Sequence, residues 1–141
     1  MTQTLYMLKG LPASGKSTWA RELINNKENI KLVNRDDIRS MLGTSEWSKK
    51  SESIVNKIRK GIIITLLEAG FSVIDDNTNF HPKNERWLRT TAEEREIEFK
   101  IISFTDMPLK TCIIRDVKRN KSVGIGIITT MYKQYIDPGK L

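Results

Sequence analysis

The stretch Gly10-Leu11-Pro12-Ala13-Ser14-Gly15-Lys16-Ser17-Thr18 fits the phosphate-binding pattern G-x-x-x-x-G-K-[ST] without a mismatch. The apolar run Leu5-Tyr6-Met7-Leu8 before it reads as a short strand, and Ser17-Thr18-Trp19-Ala20 after it reads as the start of a helix. That context is what phosphate chemistry needs. Gly10 and Gly15 permit a tight backbone path whose successive N–H groups point inward at phosphate oxygens. The helix start adds unpaired donors and the positive end of its dipole. Gly10, Ser14, Gly15, Lys16, Ser17 and Thr18 are therefore expected to hold ATP or another nucleoside triphosphate. Lys16 would reach the β- and γ-phosphates, and the Ser17 hydroxyl would ligate magnesium.

Working outward, strand and helix patterns alternate. Strands are expected at Thr4–Leu8, Ile30–Val33, Ser72–Asp75 and Phe99–Phe104. Helices are expected at Ser17–Asn25, Asp36–Leu42, Glu46–Ala69, Pro82–Glu96, Pro108–Lys121 and Ile125–Ile136. The clearest is Glu46–Ala69. There Ile54, Ile58, Ile62 and Leu66 recur every four residues, with Val55, Ile63 and Leu67 on a neighbouring stripe. Ser45 suits its N-cap and Gly70 its stop. The alternation predicts an α/β fold of the P-loop NTPase type. Alternation argues for a parallel sheet with helices on both faces, and the resemblance to P-loop NTPases implies three αβα layers around about four strands in the order 2-3-1-4.

The chain of 141 residues contains no repeat or linker, so residues 1–141 are expected to form a single domain. With 38% hydrophobic and 29% charged residues it falls among globular rather than disordered sequences. No apolar run is long enough for a membrane span, and no secretion signal is visible. A lone cysteine, Cys112, and a lone histidine, His81, exclude an internal disulfide and a His/Cys metal cluster. These features point to a reducing compartment, most simply cytoplasm. The balance of 24 basic against 17 acidic residues gives a net charge of +7. Such a balance attracts polyanions, but solvated helix faces account for it as well. A homo-oligomer is compatible with the sequence.

The second strand delivers Asn34-Arg35-Asp36-Asp37-Ile38-Arg39 to the carboxyl edge of the sheet, where doubly wound folds bind ligands. A carboxylate there, Asp36, suits a general base for an attacking hydroxyl, and Arg39 suits a neighbouring phosphate. Helix capping by Asp36 and Asp37 is the plainer alternative. The third strand runs out through Asp75-Asp76-Asn77-Thr78-Asn79, and an acid at that place commonly supports magnesium, directly or through water. A capped turn is the alternative here too. Further on, Arg115 and Arg119 are four residues apart on an expected helix. Sharing one face, they would neutralise charge at a triphosphate.

Taken together these pieces resemble the kinase domain of phage polynucleotide kinase–phosphatases. The matching segments are GLPASGKSTWARE, VNRDDIR, DNTNFHP and MYKQY, in unchanged order over nearly the whole chain. The resemblance implies that Asp36 is the general base that activates a polynucleotide 5′-hydroxyl. It implies that Arg39 binds the phosphate on the 3′ side of the acceptor nucleotide, with Glu52 orienting Arg39. Thr78 corresponds to a residue lining the acceptor site, and Arg115 and Arg119 to lid arginines around the donor phosphates. Where some phage relatives carry an acid two positions before the final Asn, this chain has Asn77, and Asp76 takes the metal role. No D-x-D-G-T motif occurs in these residues, so no 3′-phosphatase activity is expected of them.

The resulting expectation is an ATP- and magnesium-dependent kinase for 5′-hydroxyl ends of DNA or RNA. Its rivals are a kinase for a hydroxymethyl group on a modified base in DNA and a small-molecule kinase for a nucleoside or antibiotic. A nucleotide-binding module without catalysis is the reading from another class.

Overall fold

A computed structural model describes residues 2–43, 47–120 and 122–137. Its centre is a four-stranded, all-parallel sheet of β1 (Thr4–Lys9), β2 (Ile30–Val33), β3 (Ser72–Asp75) and β4 (Glu98–Ser103). The strand order β2-β3-β1-β4 is the expected one. Among the described residues seven helical segments cover it: α1 (Lys16–Asn26), α2 (Arg35–Leu42), α3 (Lys49–Glu68), α4 (Pro82–Glu94), α5 (Leu109–Val117), α6 (Ile125–Met131) and a π-helical turn, Tyr132–Ile136.

The pleat sorts the core. Successive side chains of a strand point to opposite faces. Leu5, Met7 and Val73 therefore face α3 and α4, joining Val55, Ile63, Leu67, Leu88 and Ala92 in one cluster. Tyr6, Leu8 and Ile74 face the other way, against Ala20 and the partly buried Trp19 and Leu23 of α1. A third cluster seats α5 and α6 on the phosphate loop through Leu11, Phe80, Cys112 and Ile128. The result is the three-layer αβα arrangement.

Four helix boundaries shift by two residues or more from expectation, and Ile54 leaves the expected core face. Helix α3 starts at Lys49, because the Ser48 side chain accepts a hydrogen bond from the Ser51 N–H at 3.0 Å and caps it. Ser45 and Glu46, expected to open this helix, lie outside the described residues. At its other end Gly70 (φ +93°) turns the chain, and Phe71 N–H donates to the Leu66 carbonyl at 3.1 Å. Helix α4 stops at Glu94, since Glu96 takes a left-handed conformation and Ile97 N–H bonds back to Ala92. Helix α5 ends at Val117 instead of running to Lys121, and α6 passes into the π turn at Tyr132. The fully buried stripe of α3 is Val55, Arg59, Ile63 and Leu67; of the other expected stripe Ile58, Ile62 and Leu66 pack partly buried against the same core, whereas Ile54 is 47% exposed. An arginine thus occupies a core position of this helix.

Candidate active site

Between β1 and α1 the phosphate loop curls around a concavity of backbone amides. Ala13 (φ +62°) and Gly15 (φ +107°) both take left-handed conformations, and Gly15 is the N-cap of α1. At Gly10 the constraint is space. A Cβ there would lie 2.8 Å from Ser14 Oγ and 2.9 Å from Phe104 Cβ. The buried Ser14 Oγ finds no hydrogen-bond partner among the described residues. Ser17 and Thr18 stand exposed on the first turn of α1.

Lys16 is nearly buried and donates from Nζ to the carbonyls of Gly10 (3.0 Å) and Leu11 (2.6 Å). Burial lowers its pKa from 10.5 to about 8, against the opposing pull of Asp76. Asp36 and Arg119 also act on this ammonium, so both lie within electrostatic range of the loop.

The two consecutive acids at the end of β3, Asp75 in it and Asp76 just after it, part company. Asp76 lies on the α1 side, where Ser17 Oγ donates to Asp76 Oδ2 at 2.9 Å. A hydroxyl and a carboxylate side by side are hard oxygen donors, and magnesium typically takes one or two such protein groups plus phosphates and waters. Ser17 and Asp76 fit that need, although no group of three or more acidic, His or Cys ligands exists among the described residues. Burial raises the Asp76 pKa, while the Ser17 hydrogen bond and Lys16 oppose the rise.

Asp75 points to the α3 side and is fully buried against Arg59. Arg59 Nε donates to Asp75 Oδ1 at 2.7 Å and Nη2 to Oδ2 at 3.0 Å, a bidentate pair with both side chains at 0% exposure. Asn77 Nδ2 and Asn79 Nδ2 donate to the same carboxylate at 2.9 and 2.8 Å. Asn77 Oδ1 in turn accepts from the backbone N–H of Arg35 at 3.0 Å and from Arg35 Nε at 3.3 Å. Burial and the nearby Arg59 lower the Arg35 pKa. This network ties the start of α2 to β3. The sequence motifs assign Arg59, Asp75, Asn77 and Arg35 no place in it. The available signals are an arginine in an apolar helix stripe and two acids in succession where a strand ends.

At the start of α2, Asn34 caps the helix by accepting from Asp37 N–H at 2.7 Å. The cap is Asn34, and Asp36 and Asp37 stand in the first turn, at the positive end of the helix. Asp36 is 85% exposed at its side chain, and its Oδ1 accepts from Arg39 Nη1 at 2.6 Å. Arg39 is also gripped by Glu52 of α3, donating from Nε at 2.8 Å and from Nη2. That fork raises the Arg39 pKa and lowers that of Glu52. The Thr78 carbonyl accepts from Gly10 N–H at 3.2 Å, at the start of the phosphate loop.

On the lid side, Arg115 Nη1 is 3.8 Å from the position a Gly15 Cβ would take, so its guanidinium overhangs the loop. Arg119 does not share its helix face, because α5 has ended two residues earlier. The buried Asp116 explains the break. Its carboxylate accepts from the N–H groups of Val123 (2.8 Å) and Gly124 (2.9 Å), folding the chain back. Arg119 Nη1 sits 3.8 Å from the same carboxylate.

A parallel sheet of this order, with a phosphate loop after β1 and a carboxylate after β3 beside the loop serine, defines a P-loop kinase fold. The chain belongs to the AAA domain family, whose model matches residues 5–132. It is 29% identical over 140 aligned residues to an L-seryl-tRNA(Sec) kinase of Methanococcus maripaludis, covering 96% of this chain and 53% of that protein. Among solved structures it resembles a chain of the Pnkp1/Rnl/Hen1 RNA repair complex. The TM-score is 0.82 and the identity 30%, over 99% of this chain and 46% of the other. The Mycobacterium tuberculosis APS kinase CysC, solved with AMPPNP and APS, shares the fold at 22% identity and a TM-score of 0.64, over 83% of this chain and 69% of that one. The chain thus spans about half the length of the first two relatives. No helix among the described residues is long and apolar enough to cross a membrane.

Proposed function

We propose that the chain is an ATP-dependent kinase that phosphorylates 5′-hydroxyl ends of DNA or RNA. The observation that carries this reading is the Glu52–Arg39–Asp36 cluster. It sets a fixed guanidinium beside an exposed carboxylate within electrostatic range of the phosphate-loop lysine. A small alcohol would need only the carboxylate. An acceptor whose hydroxyl is followed by a phosphodiester uses both groups. The likeness to a chain of an RNA repair complex supports the same reading.

In this mechanism the loop amides and Lys16 hold the β- and γ-phosphates. Ser17 and Asp76 would hold magnesium, the latter directly or through water, and the ion would supply neutralisation of phosphate charge. Arg39, fixed by Glu52, binds the phosphate on the 3′ side of the acceptor nucleotide, and Thr78 lines the acceptor site. Asp36 takes the proton of the 5′-hydroxyl as its oxygen bonds to the γ-phosphorus and the β–γ bridging bond breaks, releasing ADP. Arg115 and Arg119 offset charge spreading over the transferred group.

The likeness to an L-seryl-tRNA(Sec) kinase favours a second reading, in which the acceptor hydroxyl is carried by an aminoacyl group on tRNA. Phosphate transfer to 5′-OH oligonucleotides and to seryl-tRNA, run side by side, separates the two. Label on the serine alone would replace the first reading by the second.

Arg39→Ala is expected to raise the KM for an oligonucleotide acceptor by about 10- to 150-fold, the worth of a hydrogen bond to a charged group. The KM for ATP should stay unchanged. Steady-state kinetics with each substrate varied checks this, and an unaltered acceptor KM and kcat would remove Arg39 from acceptor binding.

The depressed pKa of Lys16 predicts a proton linkage. In the free protein, burying the charged amine costs stability below its folded pKa of about 8, and that cost fades as pH rises toward the ordinary lysine value. A bound triphosphate restores the charge. Nucleotide binding near pH 8.5 is therefore expected to take up protons, visible as calorimetric heats that depend on buffer ionisation enthalpy. Lys16→Met should abolish the dependence. Heats identical across buffers in the unaltered protein would contradict it.

A further inference from the structure

Beside the acceptor cluster lies a basic and apolar flank that the mechanism above leaves unused. Trp47 stands just ahead of α3 and is 73% exposed. Lys50, Ile54 and Lys57 follow at spacings of four and three on one exposed face of α3. Between positions 47 and 60 the sequence has a single acid, Glu52, and Arg39 neutralises it. Large apolar side chains left in water mark a contact surface. Here they are interleaved with lysines, which fits a ligand that has flat apolar faces joined by negative charges.

We propose that Trp47 is a stacking platform for a base of the acceptor strand, with Lys50 and Lys57 tracking its phosphates. This rests on the polynucleotide reading above. Two extended residues and one helical turn separate Trp47 from Glu52, so their Cα atoms are at most about 12 Å apart. At a rise of about 3.4 Å per nucleotide, a stacked strand anchored at Arg39 reaches Trp47 within about three to four nucleotides. A base offers its π-face whatever its identity, so the platform adds affinity with little sequence preference. It also favours single-stranded ends, because paired bases do not offer a free face to the indole.

The test compares the unaltered protein, Trp47→Ala and Trp47→Phe on two acceptors. One is a 5′-OH oligonucleotide of about 12 nucleotides. The other is a nucleoside 3′-phosphate, which meets Arg39 but ends before Trp47. Trp47→Ala is expected to raise the oligonucleotide KM by about 5- to 150-fold, the range for one base–aromatic stack. Trp47→Phe should recover most of it, and the nucleoside 3′-phosphate KM should stay unchanged in both. An unchanged oligonucleotide KM in Trp47→Ala, or an equal rise for both acceptors, would overturn the platform alone. Failure of the unaltered protein to phosphorylate either acceptor would overturn the polynucleotide reading and this inference with it.

Discussion

Asp36→Asn is expected to bind ATP as tightly as the unaltered protein and to lose about 10²- to 10⁴-fold in turnover, the range for a general base. The amide keeps the size of the carboxylate and can still accept from Arg39 Nη1, but it cannot take the hydroxyl proton. The exposure of Asp36 makes the experiment clean. At 85% side-chain exposure it supports little of the core, so a fall in kcat reads chemistry rather than unfolding. Asp37, next in sequence, shares hydrogen bonds with the helix cap Asn34 and serves as the control. Asp37→Asn should leave turnover within a few-fold. Equal rates for Asp36→Asn and the unaltered protein in a saturated phosphate-transfer assay would take Asp36 out of the mechanism.

The second large effect is on stability. Arg59→Ala removes one half of a fully buried ion pair and strands the Asp75 carboxylate, to which Asn77 and Asn79 also donate. Breaking such a pair from one side costs about 3–5 kcal/mol, because a charge is left in the interior without its partner. Chemical denaturation should show that loss as a shift in midpoint with little change in slope. Adding Asp75→Asn to Arg59→Ala removes the stranded charge and should recover more than half of the loss. A single-variant cost below about 1 kcal/mol would mean that the interior accommodates the lone carboxylate, and the pair would then not be what holds Asp75 in the core.

These two predictions fall on either side of what the sequence makes legible. The strand positions and the placement of the phosphate loop follow from short-range patterns, apolar runs, glycine spacing and helix periodicity, whereas the sheet order comes with the resemblance to P-loop folds. Asp36, Arg39 and Glu52 stand out through motif resemblance, and the structure brings the three into one hydrogen-bonded cluster. The Arg59–Asp75 pair is not legible in that way. It joins residues 16 positions apart whose partnership depends on α3 packing across the face of β3. Periodicity gives Ile54 and Val55 equal claim to the core. Only the tertiary contact decides that the stripe through Val55 and Arg59 turns inward. The break between Arg115 and Arg119 has a similar origin. Nothing local forbids α5 from continuing, and it ends because Asp116 bonds to backbone groups seven and eight residues on.

Whether the acceptor is a polynucleotide 5′-hydroxyl decides the roles proposed for Asp36, Arg39 and Trp47 together. The direct measurement is transfer of labelled γ-phosphate from ATP with magnesium. Acceptors are 5′-OH DNA and RNA oligonucleotides, 5′-phosphorylated DNA carrying a hydroxymethylated base, and seryl-tRNA, with Asp36→Asn in parallel. A polynucleotide kinase places label on 5′-OH ends alone and loses it in the Asp36 variant, which is the expected result. Label on the end-blocked modified DNA or on the serine, with none on free 5′-OH ends, would overturn the polynucleotide reading.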